Sequence, residues 1–208
     1  MTAGRRPRGP KGLRLGVFGG TFDPPHVGHL ALAEWAREEL SLDRVLFVPA
    51  GSPPHKSAAR ASAAHRVAMT RRAVRGNPEF VVSTVEARRP GPSYTADTVT
   101  ALAEAHPGAE LWLLMGADMY ATFDRWVRPA EIAARAALAV ALRPGAAAPR
   151  ASRFAARGKG VRWLANPALE VSSSAVRARA RAGLSLRYLV PEPVARYIAQ
   201  HRLYRRGA

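Results

Sequence analysis

Six short apolar runs, none alternating with polar residues, constrain this chain more than any other feature. They are LRLGVF at 13–18, RVLFVPA at 44–50, FVVSTVEA at 80–87, ELWLLMG at 110–116, RAALAVALRP at 135–144 and VRWLA at 161–165. A strand with one wet face alternates; a strand covered on both faces reads as a continuous run. Between the runs the apolar spacing is helical. Leu30, Leu32, Ala33, Ala36 and Leu40 mark a first helix of about three turns. Further helices are expected over 61–75, 94–105, 173–182 and 191–201, with short ones through 117–135. Pro49, Gly76-Asn77-Pro78 and Pro107-Gly108 punctuate the series. The pattern predicts an α/β fold with a mostly parallel sheet and helices on both faces. Such sheets bind ligands beyond the carboxyl ends of their strands. The loops after 18, 49, 85, 115 and 165 are therefore the places to look for function.

Composition sharpens this. The 208 residues include no cysteine, which removes disulfides, thiolate catalysis and Cys-ligated metal sites. No apolar run is long enough to span a bilayer, and the basic N-terminus lacks the apolar core of a signal peptide. A soluble cytoplasmic protein is expected. Residues 1–12 read as a disordered basic tail, 13–206 as a single domain, and about 144–160, rich in Gly, Ala, Pro and Arg, as a mobile surface loop. The net charge of +17 comes from 32 basic and 15 acidic residues spread along the chain. Without basic residues interleaved with aromatics, or a zinc-finger or RNA-binding signature, it argues against nucleic-acid binding as the main role. It does suit anionic small substrates.

The unusual residues collect after the first run, in GVFGGTFDPPHVGHL (16–30). Gly19-Gly20-Thr21 permits close backbone approach to a ligand, but it matches neither a phosphate-loop nor a dinucleotide fingerprint, so a plain tight turn stays open. His26 and His29 flank Val27-Gly28 at a helix start. Their spacing puts both rings on one side of the first turn, at the positive end of the helix dipole. Two histidines there, without a carboxylate or third ligand, make a poor metal site and a reasonable phosphate site.

These residues, taken with others further along, resemble the nucleotidyltransferases that carry an HIGH-like signature. GGTFDPPHVGHL is similar to the GGTFDPxHxGH form of bacterial nicotinate-nucleotide adenylyltransferases. Pro53-Pro54-His55-Lys56, Ser93-Tyr94-Thr95 with Asp97-Thr98, Gly116-Ala117-Asp118 before Trp126, and Val171-Ser172-Ser173-Ser174 with Arg177 resemble that family's other segments in order. The likeness covers about 13–206 and departs from the pattern only in Val171 for Ile, in residues 144–160 and in the N-terminal extension.

The resemblance implies transfer of AMP from ATP to nicotinate mononucleotide, giving deamido-NAD and pyrophosphate. It places Gly19, Gly20, Thr21, His26, Gly28, His29, Gly116, Asp118, Ser172, Ser173 and Arg177 on ATP, with His26, His29 and Arg177 as the catalytic residues, His29 on the α-phosphate and Arg177 with Ser172 and Ser173 on the β- and γ-phosphates. It places His55, Lys56, Tyr94, Thr95 and Trp126 on the acceptor. Mg²⁺ would arrive with ATP, with no dedicated protein metal site. Taken alone, Ser172 and Ser173 could be an ordinary helix cap, Asp118 could cap its helix, and Asp23 reads as a residue that steadies its own loop. The competing readings are nicotinamide mononucleotide or phosphopantetheine as acceptor, and a non-catalytic nucleic-acid binder. A homo-oligomer is compatible with all of this.

Overall fold

The structure, a computed structural model, describes residues 12–53, 59–142, 149–167 and 169–205. Each apolar run forms a strand: β1 (Arg14–Gly20), β2 (Arg44–Pro49), β3 (Phe80–Val82), β4 (Glu110–Gly116), β5 (Ala136–Ala141) and β6 (Val161–Leu164). They make one six-stranded sheet in the order β3-β2-β1-β4-β5-β6, and every pairing is parallel. The order reverses between β1 and β4, so their C-terminal ends open the crevice expected at such a switch point. β1 runs two residues beyond its predicted end, with Gly19 opposite Val48 and Gly20 opposite Pro49. β3 is shorter than predicted. After Val82 the chain turns, Arg88 N–H donates to Thr84 O, and Glu86 is buried against Thr98 instead of extending the ladder.

The helices are α1 (Val27–Glu39), α2 (Ala63–Ala73), α3 (Thr95–Ala105), α4 (Ala117–Tyr120), α5 (Pro129–Arg135), α6 (Arg153–Arg157), α7 (Ser173–Arg181) and α8 (Glu192–Gln200), with a 3-10 turn at Phe123–Arg125. Side chains alternate across the sheet. Leu15, Val17, Leu111 and Leu113 pack with α3 and α5 through Val99, Leu102 and Ile132, while Phe18, Phe47 and Leu114 pack with α1 through Ala33 and Ala36. A third apolar cluster joins α2, α7 and α8 through Met69, Val176, Val194 and Ile198. Among the described residues no helix is long and apolar enough to cross a membrane.

The described part of the expected loop at 144–160 contains a short helix, α6, that the sequence did not announce. Ser152 is buried, caps α6 by accepting from Phe154 and Ala155 N–H at 3.2 Å each, and donates its own N–H to Tyr120 Oη at 2.9 Å. A capped turn seated on a core tyrosine gives no apolar periodicity to read. Residues 144–148 of that loop and 1–11 of the tail lie outside the described residues.

Candidate active site

A cleft of about 870 Å³ lies over the C-terminal ends of β1 and β4. Gly19, Gly20, Thr21, His26, His29, Tyr94, Thr95, Gly116, Asp118, Trp126, Ser172, Ser173 and Arg177 all line it. The expected site residues thus come together from five segments of chain. His55 and Lys56 lie outside the described residues. Gly28 is absent from the lining and does its work one layer back.

The loop after β1 positions the histidines. His26 is the N-cap of α1 in an extended conformation. Its backbone N–H donates to His29 Nδ1 at 3.1 Å, and the two rings stack with centroids 3.6 Å apart. Because Nδ1 of His29 accepts, its neutral ring carries the proton on Nε2. His26 is buried, and burial pulls its pKa down to about 4. The uncharged ring suits a helix N-terminus, and a bound anion would reverse that preference. Gly28 makes the arrangement possible: a Cβ there would lie 3.1 Å from His26 Nδ1 and 3.2 Å from Cε1. At Gly20 the same argument applies to the Phe22 ring, 3.0–3.2 Å from where a Cβ would stand.

The N-terminus of α7 lines the same cleft and is bonded to the loop that precedes His26. Ser172 is its cap, accepting from Ala175 N–H at 3.1 Å, and Ser173 Oγ donates to Pro24 O at 2.9 Å. The cap reading of Ser172 is therefore correct, and the cap coexists with its place on the cleft wall. Arg177 donates from Nη1 to Asp23 O at 2.7 Å and from Nη2 to Ser174 Oγ at 3.3 Å. Its other guanidinium N–H groups are not engaged by these two bonds, and the side chain lines the cleft. Asp118 does not cap α4. Gly116 holds that position, and Asp118 is exposed at the cleft in the first turn.

Tyr94 and Thr95, at the start of α3 where no side chain caps the helix, and Trp126 also line the cleft. Trp126 Nε1 donates to Thr122 Oγ1 at 3.2 Å, and the ring packs edge-on against Phe123 at 5.5 Å. Ser93 ties the start of α3 to the loop after β2: its Oγ accepts from Gly51 N–H at 2.9 Å and Ser52 N–H at 3.2 Å.

Sequence reasoning missed the groups beneath the cleft. Arg66 is 1% exposed and meets no carboxylate directly. Its guanidinium donates to the carbonyls of Thr21 at 3.0 Å, Gly51 at 2.9 Å and Ala61 at 3.2 Å, and to that of Ala50, so one cation joins the loops after β1 and β2. A signal was available: Arg66 shares a helical stripe with Met69, Thr70 and Ala73, all buried. Asp23, 3% exposed, accepts from Arg60 N–H at 2.7 Å, Ala61 N–H at 3.3 Å and the Tyr204 hydroxyl at 2.7 Å. Burial first, and then that bond, push the Tyr204 phenol far above its usual range. Asp23 thus steadies its loop, as its sequence context suggests, but from partners far along the chain.

A parallel sheet with the N-termini of α1 and α7 on the cleft at its switch point suits a phosphate-bearing ligand, and a family model gives the class, a nucleotidyltransferase. Residues 17–179 match the cytidylyltransferase-like model, and the chain belongs to that family. Within it, the chain is 47% identical to the probable nicotinate-nucleotide adenylyltransferase of Salinibacter ruber, over 93% of this chain and 98% of the relative. It is 48% identical to the one of Thermomicrobium roseum, over 92% of each. It is a member of the nicotinate-nucleotide adenylyltransferase family. In fold it is similar to the nicotinic acid mononucleotide adenylyltransferase of Plasmodium falciparum, solved with NaAD, at a TM-score of 0.74 and 16% identity over 92% of this chain and 97% of that one. The Vibrio parahaemolyticus structure of a nicotinate-nucleotide adenylyltransferase gives 0.67 and 18%, over 93% and 96%.

Proposed function

We propose that the cleft binds Mg·ATP and nicotinate mononucleotide together and joins them. A phosphate oxygen of the mononucleotide attacks the α-phosphorus of ATP. The bond from that phosphorus to the bridging β-oxygen breaks, pyrophosphate leaves, and deamido-NAD forms. The attacking oxygen is already anionic, so no general base is needed, and catalysis is positioning plus charge stabilisation. His29 donates from Nε2 to the α-phosphate as its charge spreads. His26 holds His29 through its backbone N–H and supports it through the ring stack. The backbone of Gly19–Thr21 with Gly28 behind it, the N-terminus of α7 with Ser172 and Ser173, and Arg177 receive the phosphates. Gly116 and Asp118 meet the nucleoside ribose. Mg²⁺ enters as part of the substrate, carried by phosphates and water.

On the acceptor side, Trp126 offers a flat face to the pyridine ring, and Tyr94 and Thr95 offer backbone N–H groups to its carboxylate. His55 and Lys56 meet the acceptor phosphate. The observation that carries the reading is that two helix N-termini, α1 with its stacked histidines and α7 with Arg177, line one cleft and are tied together through the loop that holds Asp23 and Pro24. The test is pyrophosphate release from Mg·ATP with nicotinate mononucleotide, nicotinamide mononucleotide and phosphopantetheine side by side. Strong preference for the first is expected. Preference for either of the others would overturn the acceptor while keeping the phosphate site.

A further inference from the structure

The two walls of the acceptor end are built on different elements. Tyr94, Thr95 and Thr98 belong to the start of α3; Trp126 and Val127 precede α5. Outside the cleft an ion pair joins them: Arg128 Nη2 meets Asp97 Oδ1, and Arg128 Nη1 lies 3.7 Å from Glu131 Oε2. Neither Asp97 nor Arg128 lines the cleft. Arg128 is held at φ 53° and ψ 54°, a region a residue with a Cβ seldom occupies, and the following Pro129 disfavours the right-handed helical alternative. The turn at Arg128 separates Val127, on the cleft wall, from Pro129, which begins α5. The core packing of α3 and α5 through Val99, Leu102 and Ile132 sets the two elements side by side, and this ion pair adds a direct tie between the Trp126 segment and the turn that carries Thr95, two residues before Asp97.

We propose that the Asp97–Arg128 pair is a positioning element that sets the width of the acceptor slot, and so governs affinity for the mononucleotide without touching it. This rests on the function proposed above. The pair is the kind of strained, side-chain-held turn that persists when the surroundings over-determine it. Being half-exposed, it acts by geometry more than by burial energy.

The experiment compares Arg128→Gly, Asp97→Asn and the double variant in steady-state pyrophosphate release. Glycine accepts the left-handed turn, so Arg128→Gly removes the guanidinium without straining the backbone. Each single variant should raise the KM for nicotinate mononucleotide about fivefold, the upper range for an exposed ion pair, with kcat and the KM for ATP within about twofold. The double variant should be no worse than either single, because both remove one interaction. The reversed pair, Asp97→Arg with Arg128→Asp, should recover part of the loss. An unmoved acceptor KM, a parallel rise in the KM for ATP, or additive single effects would overturn the inference. Failure of the wild type to use nicotinate mononucleotide would remove the functional reading, and the inference with it. Normal wild-type turnover with unmoved variants overturns the inference alone.

Discussion

Replacing Gly28 by alanine should separate stability from catalysis. The residue lies in the first turn of α1, where exchanging glycine for alanine restricts the unfolded chain and stabilises a helix by about 0.5–1 kcal/mol. For a chain of this length that raises Tm by roughly 2–4 °C per kcal/mol. The added Cβ would stand 3.1 Å from His26 Nδ1 and 3.2 Å from Cε1, so the ring must move by a few tenths of an ångström. It cannot move alone, since it is stacked at 3.6 Å on His29, whose Nδ1 is bonded to the His26 backbone. Misplacing a catalytic group by 1 Å can cost about a hundredfold, so a few tenths should lower kcat roughly three- to tenfold. The assay is pyrophosphate release at saturating substrates, paired with thermal unfolding of the same preparation. Tm should hold or rise while kcat falls. A kcat within about twofold of wild type would refute the argument, because the histidine pair would then have slack to give.

Trp126→Ala should raise the KM for the mononucleotide about tenfold, as expected for loss of a stacked ring, and leave the KM for ATP within about twofold; equal losses would count against the stacking role. Tyr204→Phe removes a hydrogen bond to the buried Asp23 carboxylate, worth about 1.5–3 kcal/mol, and should lower Tm by roughly 3–12 °C; an unchanged Tm would show that the bond contributes nothing. Stability should also fall with acidification. His26 has its pKa lowered to about 4 from an ordinary 6.5, so between those values the unfolded chain binds a proton that the folded chain does not. Folding stability is then full above pH 6.5 and declines as pH drops toward 4, by roughly 2–3 kcal/mol. Chemical denaturation of wild type and His26→Asn at pH 7.5 and 4.5 tests this, and identical pH slopes in the two proteins would sink it.

The sheet was legible because burial on both faces leaves a local mark. RVLFVP and ELWLLM have no polar alternation, and they became central parallel strands. The histidine pair was legible from its spacing at a helix start and Arg177 only through the family resemblance, and all three line one cleft. What escaped was whatever depends on partners remote in sequence. Arg66 is a cation in a helical stripe, and only the fold reveals that Thr21, Ala50 and Gly51 carbonyls surround it. Ser93 looks like a loop serine until Gly51 and Ser52 donate to it from 42 and 41 residues away. The start of α6 was missed for the same reason: its capping serine gains its seat from Tyr120, 32 residues earlier.

The bond between Asp23 and Tyr204 spans 181 residues, and it ties the loop behind the first strand to the far end of the chain. Synthesis proceeds from the N-terminus, and domains settle as they emerge. A nascent chain that has already laid down β1, both histidines and most of the sheet holds Asp23 by the Arg60 and Ala61 N–H groups alone, without the Tyr204 hydroxyl. Arg177, which steadies the same loop from 154 residues on, also arrives late. The loop behind β1 therefore gains two of its partners only after α7 and Tyr204 have been made. A proteolytic nick between α7 and Tyr204 should loosen that loop, although the cut lies far from it in sequence.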